Sequence, residues 1–415
     1  MHYNFYFDET FHDRKISINS DGMINTFTKD KNDSYIGVFW GFKNVKRSSV
    51  IKKLNNLEQK YIIRYGVQSE FKSTTINRKN FCYGIRSFNK NTIEFYTDLF
   101  KVLEDISPII HVNVISKIEW LIRNLFDICS HNEMQFVNAD SFYYSLTKFI
   151  LIYHNRELIQ ALYKSYELKD NRLFQDELLS QLLKVISVLE GIERKKREIP
   201  ALRDLYFIIK NYNMRNEVKN KYDFIYFQNF DGLINLLEEL KISLKKVNLE
   251  IDNEEKTYQV ALNYNFSKIK QSDSKNVISI RIADHLCGFI GRMMYALMND
   301  EAIKEDNIDN IDNLKENDLT RKRLLNLKWF DLEEKHFILY KLVYKVLVLQ
   351  QSSYWSAMSL SYGDQVSMFY TLLRYISTFD SFNAFKRYSP EEHVEYYNSA
   401  CCEELERHFN SFYEK

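Results

Sequence analysis

The first forty residues alternate apolar and polar positions with the two-residue period of strands. Tyr3–Phe7 is aromatic and alternating, Lys15–Ile18 follows, and Tyr35–Trp40 makes a third run. Asp21-Gly22 between the second and third runs is a turn signal. Together they predict a three-stranded meander. The period then changes to that of a helix beginning near Val45, in which Val50, Ile51, Leu54 and Leu57 share a face. A second helix, from about Thr92, aligns Phe95, Leu99, Val102 and Leu103 and ends before Pro108. Ile109–Ile115 reads as a buried strand. Strands, helices and a further strand predict a mixed α/β sheet with crossovers.

From about Lys117 to Lys246 the pattern is helical, as in the run Leu178–Ile186, and Pro200 opens a helix or a turn. Strand signals return at Val247–Asp252 and at Tyr258–Leu262. Val277–Ile280 then leads into Ala283–Gly291, which reads as a helix packed by small residues. Asp300 to Asp318 is rich in Asp, Asn and Glu and reads as an exposed linker, and the tail from Arg321 is helical again. The expected organisation is an α/β domain in two parts, 1–118 and 246–299, interrupted by a helical insertion at 119–245. An acidic linker at 300–319 and a helical C-terminal extension at 320–415 follow.

Composition narrows this picture. Only 3 Pro and 10 Gly occur in 415 residues, too few for a chain of tight turns, so long helices are expected. A hydrophobic share of 45% with 27% charged residues excludes global disorder. Lys and Arg number 57 against 56 Asp and Glu, and a net charge of +1 argues against coating nucleic acid through a global positive field. Local patches remain, at Arg194–Arg197 and Arg321–Arg323, each of which fits a solvated helix face. The first could also track a phosphate backbone, with Tyr206 and Phe207 to stack bases.

The start of the chain shows no basic and apolar leader pattern. The uncharged run Val346–Gly363 carries Gln350, Gln351 and several serines, so it reads as a buried helix and not as a membrane span. The aromatic tail around Tyr354, Trp355 and Phe369 fits a core or a dimer interface, and so a homo-oligomer or a protein partner. Five scattered cysteines without a CxxC pair fit reduced thiols, and the expected location is cytoplasmic. No HExxH, GxxxxGK[ST] or GxGxxG pattern occurs.

Candidate chemistry comes from acids placed in apolar surroundings. Asp8 and Glu9 end an aromatic strand, Asp252 ends the strand Val247–Ile251, and Asp284 sits inside the apolar Ile278–Ile290 segment. Glu70 lies in a Glu-Phe-Lys step whose Lys72 shares its face if the stretch is extended. Buried acids need a partner. Carboxylates gathered at strand ends suit Mg²⁺ or Mn²⁺, and such ions activate water in phosphodiester cleavage while Lys72 neutralises charge on the phosphate.

Each residue also has a plainer reading. Glu9-Thr10 fits a turn, Asp252 a solvated hairpin loop, Glu70 and Lys72 a surface ion pair, and Asp284 the N-cap of its own helix. His285 fits a helix surface.

Phe5-Tyr6-Phe7-Asp8-Glu9-Thr10, Glu70-Phe71-Lys72 and Ile280–Gly288 with its Ala283-Asp284 step together resemble a group of bacterial RNase H-like proteins. That group opens with an aromatic-aliphatic strand, Asp-Glu and Ser or Thr. It continues with Glu-x-Lys and closes with an apolar Ala-Asp element. The resemblance covers roughly residues 1–118 and 245–298. It implies an RNase H-like domain and a metal-dependent nuclease acting on RNA or DNA, with Asp8, Glu70 and Asp284 as metal-binding acids and Asp252 as a fourth. It further implies a lysine match at Lys117 and an association with phage defence. Phe11 stands where the group carries Gly, and Asn253 interrupts its Asp-Glu step. An inactive scaffold or sensor built on the same fold is the alternative.

Overall fold

The aromatic run at the start of the chain forms β1 (Tyr3–Thr10), longer than its apolar part, so Asp8 and Glu9 are strand residues. β1 pairs antiparallel with β2 (Ser34–Lys43), and β2 pairs antiparallel with β4 (Ile109–Ser116). On the other side of β1 lies β5 (Val247–Ile251), parallel to it, and β6 (Lys268–Gln271) extends the sheet in the same direction. β7 (Ala357–Ser359) pairs parallel with β4 at the opposite edge. Among the described residues the sheet therefore has six strands in the order β6-β5-β1-β2-β4-β7. A short strand, β3 (Cys82–Ile85), lies outside it.

The computed structural model describes all residues except 1, 12–15, 20–21, 28–32, 127–136, 169–170, 213–222, 301–323, 352–356 and 414–415. Most of the expected linker, the Arg321–Arg323 cluster, Asp21, Cys129, Tyr354 and Trp355 lie outside the described residues.

Both faces of the sheet are covered, which explains why β2 is buried along nearly its whole length. One face, with Tyr6, Val38, Trp40 and Val112, packs against α1 (Arg47–Tyr65), α2 (Lys90–Ile106) and α10 (Ile278–Met298). The other, with Phe5, Phe7, Phe39 and Leu249, packs against Phe230, Leu233 and Leu237 of α8 (Asp223–Glu239). Between β4 and α8, five helices gather around a core of their own that includes Trp120, Leu146, Leu162, Leu178 and Leu205. They are α3 (Lys117–Leu125), α4 (Ala139–Tyr153), α5 (Arg156–Leu168), α6 (Asn171–Glu190) and α7 (Ile199–Asn211).

Helices Glu334–Tyr344, Asp364–Ser377 and Pro390–Tyr413 share the large core under α2 and α10, through residues such as Leu339, Val343, Leu372 and Val394. The C-terminal region is thus built into the main core and not appended to it. Among the described residues, no helix is long and apolar enough to cross a membrane.

Several expected elements differ. Ile16–Ile18 forms no strand; Ile18 makes one isolated bridge with Ile24 inside the β1–β2 connection. Tyr258–Ala261 lies in α9 (Glu255–Ala261), because Thr257, Val260 and Ala261 are buried at helical spacing. The uncharged run Val346–Gly363 is not one helix: a wide turn of helix at Lys345–Leu349 gives way to β7.

Candidate active site

The geometry of the site begins with strand register. Phe7 and Ile251 are the last paired residues of the parallel strands β1 and β5, so Asp8 and Asp252 follow side by side at the same end of the sheet. Alternation points Asp8 toward the face of Tyr6, where α10 crosses, and Glu9 toward the opposite face. α10 starts at Ile278, which puts Asp284 in its second turn and rules out the capping role. Asp8, Asp252 and Asp284 line one cavity of about 470 Å³ together with Lys72, Ser73, Arg281 and Arg292.

Each carboxylate is held by backbone donors. Asp8 Oδ1 accepts from the Glu9 amide at 2.8 Å. Asp252 Oδ1 accepts from the amides of Asn253 at 2.9 Å and Ser274 at 3.1 Å. Because β6 is parallel to β5 and reached through α9, Asp252 belongs to a crossover and not to a hairpin loop. Asp284 accepts from Ser73 twice, from its amide and from its hydroxyl, both at 2.7 Å. Gly288, one turn further along α10, makes this possible: a Cβ there would stand 2.6 Å from the Ser73 side chain.

Desolvation, reinforced by like charge, is the electrostatic signature of the site. Burial pushes the Asp8 carboxyl well above its usual range, and the neighbouring Asp284, Asp252 and Glu9 charges add to the shift against the Glu9 hydrogen bond. Burial likewise raises the Cys287 thiol, and Asp8, Asp284 and Glu9 raise it further.

Glu70 stands one step back. It is not a wall of the cavity; it pairs with Lys72 at 3.3 Å, while its Oε2 is buried without a hydrogen-bond partner. The Glu70–Lys72 stretch is not a strand. Burial lowers the Lys72 ammonium, but Glu70, Asp252 and Asp284 outweigh it and hold the group above its ordinary value. Gly66, at φ 66°, ends α1 in a left-handed turn and releases the chain toward this stretch.

Sequence reasoning missed the pair that ties these parts together. Arg281 and Glu58 form a buried two-pronged ion pair. Arg281 also donates to the Ser274 carbonyl, and Glu58 accepts from the Phe71 amide at 3.4 Å. The pair therefore braces both the loop that holds Asp252 and the segment that carries Glu70, Lys72 and Ser73. The signal was present as a charge on each apolar stripe, Glu58 beside Leu57 and Arg281 between Ile280 and Ile282.

Other expected positions resolve differently. Glu9 is buried within β1, and its Oε2 accepts from the Tyr35 hydroxyl, which accepts in turn from Asn229 at 2.6 Å. His285 is not on a helix surface: its buried Nε2 donates to the Phe71 carbonyl at 2.9 Å, and burial lowers its basicity. Lys117 is buried at the start of α3, two strands from β1 in the sheet order, and does not line the cavity. In the Arg194–Arg197 cluster, Lys195 and Lys196 are each paired with a glutamate, Glu198 and Glu193, at 2.5 Å.

Among the described residues, no three His, Cys, Asp or Glu side chains form a ready-made metal cage. The arrangement instead offers carboxylate oxygens from a strand, from the crossover that follows a second strand, and from a helix, with cationic Lys72, Arg281 and Arg292 on the same cavity. No protein-family model, curated protein or solved structure matches the chain.

Proposed function

We propose that the chain is a divalent-metal-dependent nuclease of RNase H-like type. The observation that carries this reading is Asp8: a half-buried carboxylate flanked by Asp252 and Asp284 at one end of a mixed sheet. The mixed sheet, three strands in antiparallel succession with two parallel strands beyond the first, supports this reading by bringing the ends of β1 and β5 together.

The donors fit a hard cation. All are oxygens, and Asp8 is destabilised as an anion by desolvation first and by its acidic neighbours second, a situation a bound cation relieves. Mg²⁺ commonly binds through one or two carboxylates and completes its shell with water and phosphate, so a closed cage is not required. Asp8 and Asp284 would hold Mg²⁺ or Mn²⁺, with Asp252 as a further ligand and Glu70 behind them. The ion, when bound, supplies water of lowered pKa and stabilises the leaving oxygen.

The remaining work falls to the chain's own residues. Ser73 fixes both oxygens of Asp284, so the carboxylate keeps one orientation. Lys72, partly exposed and held protonated by Glu70, is placed to meet a phosphate entering the cavity. Arg281, committed to Glu58, positions the walls and does not bind substrate.

The test is cleavage of RNA and DNA oligonucleotides with Mg²⁺ or Mn²⁺. Asp8→Asn and Asp284→Asn should each reduce it at least a hundred-fold. Unchanged cleavage in both variants overturns the assignment. A second reading, a non-catalytic scaffold of the same fold, is favoured by the occupation of both Asp284 oxygens by Ser73. Calorimetric titration with Mn²⁺ separates the two, since absence of binding at millimolar metal supports the scaffold.

A further inference from the structure

Immediately after β1 the backbone of Phe11 takes φ 55°, the left-handed region that a bulky side chain enters only at a cost. The consequence is a change of direction for the ring. Phe11 is half-buried, lines the acid-bearing cavity, and leans on α10 over Gly291. A Cβ at Gly291 would stand 2.7 Å from the Phe11 ring and 2.8 Å from Thr10, so only glycine admits this seat.

Tyr295 follows one turn later on the same helix face. Its ring stacks on Phe11 with centroids 6.2 Å apart and planes at 25°. The Arg78 guanidinium lies over the Tyr295 ring at 3.7 Å, and Arg78 is exposed. Arg292, between Gly291 and Tyr295, lines the cavity as well. Asp284, Gly288, Gly291 and Tyr295 recur at three- or four-residue intervals, so acid, close contact and aromatic wall share one stripe of α10. Seven residues separate Asp284 from the Phe11 seat, about 10 Å along the axis.

We propose that Phe11 and Tyr295, backed by Arg78, form a stacking subsite for an unpaired nucleobase whose adjoining phosphate enters the acid-lined cavity. The inference rests on the nuclease reading of that cavity. Flat aromatic faces take up any base, while the cations on the same side track the backbone. Bases stacked inside a duplex do not present a free face, so the subsite selects single-stranded segments or ends.

The test is binding, read apart from cleavage. Fluorescein-labelled single-stranded DNA is titrated with Ca²⁺ in place of Mg²⁺, beside the same strand carrying abasic positions and a blunt duplex of equal length. Phe11→Gly is the first variant, because glycine adopts this φ without strain; Tyr295→Leu is the second and keeps the helix and its apolar bulk. Each should weaken single-strand binding about ten-fold or more, and abasic positions should weaken the wild type but not Phe11→Gly. Wild-type affinity in both variants, indifference to abasic positions, or equal affinity for the duplex overturns the subsite. Failure of the nuclease reading shows separately, as absent cleavage with the aromatic dependence of binding retained.

Discussion

Arg281 and Glu58, 223 residues apart in sequence, meet as a buried ion pair whose Nη2–Oε2 prong is 2.6 Å long. Removing one partner leaves an uncompensated charge in the core. Glu58→Ala should therefore cost about 3–5 kcal/mol, measured by urea unfolding. Replacing both residues together, Glu58→Leu with Arg281→Met, should recover most of that stability. The double variant should still bind Mn²⁺ more weakly than the wild type, because the Ser274 and Phe71 segments lose their common brace.

Gly288→Ala forces a methyl group against the Ser73 side chain. The expected result is a loss of about 1–3 kcal/mol in unfolding free energy. Metal affinity should fall together with it, whereas Ser73→Ala should lower affinity with a smaller effect on stability. Thermal melts with and without Mn²⁺ check both.

Metal should stabilise the wild type through mass action. At a hundred times its dissociation constant, a bound ion adds about 2.7 kcal/mol. Asp8→Asn removes one of the crowded charges, so it should melt higher than the metal-free wild type and gain nothing when Mn²⁺ is added. A wild type whose melting ignores Mn²⁺ and Mg²⁺ would contradict the proposed site.

The pH dependence has a distinct source away from the cavity. Burial pulls His336 down to about 4, and its Nδ1 accepts from the Glu333 amide at the start of its helix. A lowered folded-state value means that the unfolded chain binds the proton first. Stability from this group is present above the ordinary histidine range and is lost as the pH falls toward 4. His336→Gln should flatten the acid limb of stability against pH by close to one proton, measured by urea unfolding at a series of pH values.

Truncation after Met298 should abolish folding, not merely shorten the protein. Leu339, Val343 and Leu372 fill the same core as Leu99 of α2 and Phe289 of α10. Expression of residues 1–298 is expected to give insoluble chain, and a soluble, cooperatively melting product would contradict that packing.

Much of this was legible in the sequence for a definite reason. Asp8 and Asp284 announced themselves because a charge inside an apolar run is costly unless something uses it. β1, β2 and β4 carried enough aliphatic and aromatic residues to declare their period. β6 did not: Lys268–Gln271 is an edge strand with one apolar residue, Ile269, and it offers no alternation to read. β7 is three residues long and sits in a run whose composition also suits a helix. Ser73 left no trace, since a short polar residue in an irregular segment acquires meaning only from the helix it faces. The Glu58–Arg281 pair was visible as two misplaced charges, but their partnership depends on how α1 and α10 cross.

The parallel pairing of β1 with β5 joins residues 244 positions apart. At about 5–20 residues per second, a ribosome needs roughly 10–50 s to travel that interval. Throughout that time the first acid waits without its companions, on a strand with one hydrogen-bonding edge unclaimed. A partly synthesised chain is thus open to mispairing along that edge, and its birth is the moment at which chaperones matter most.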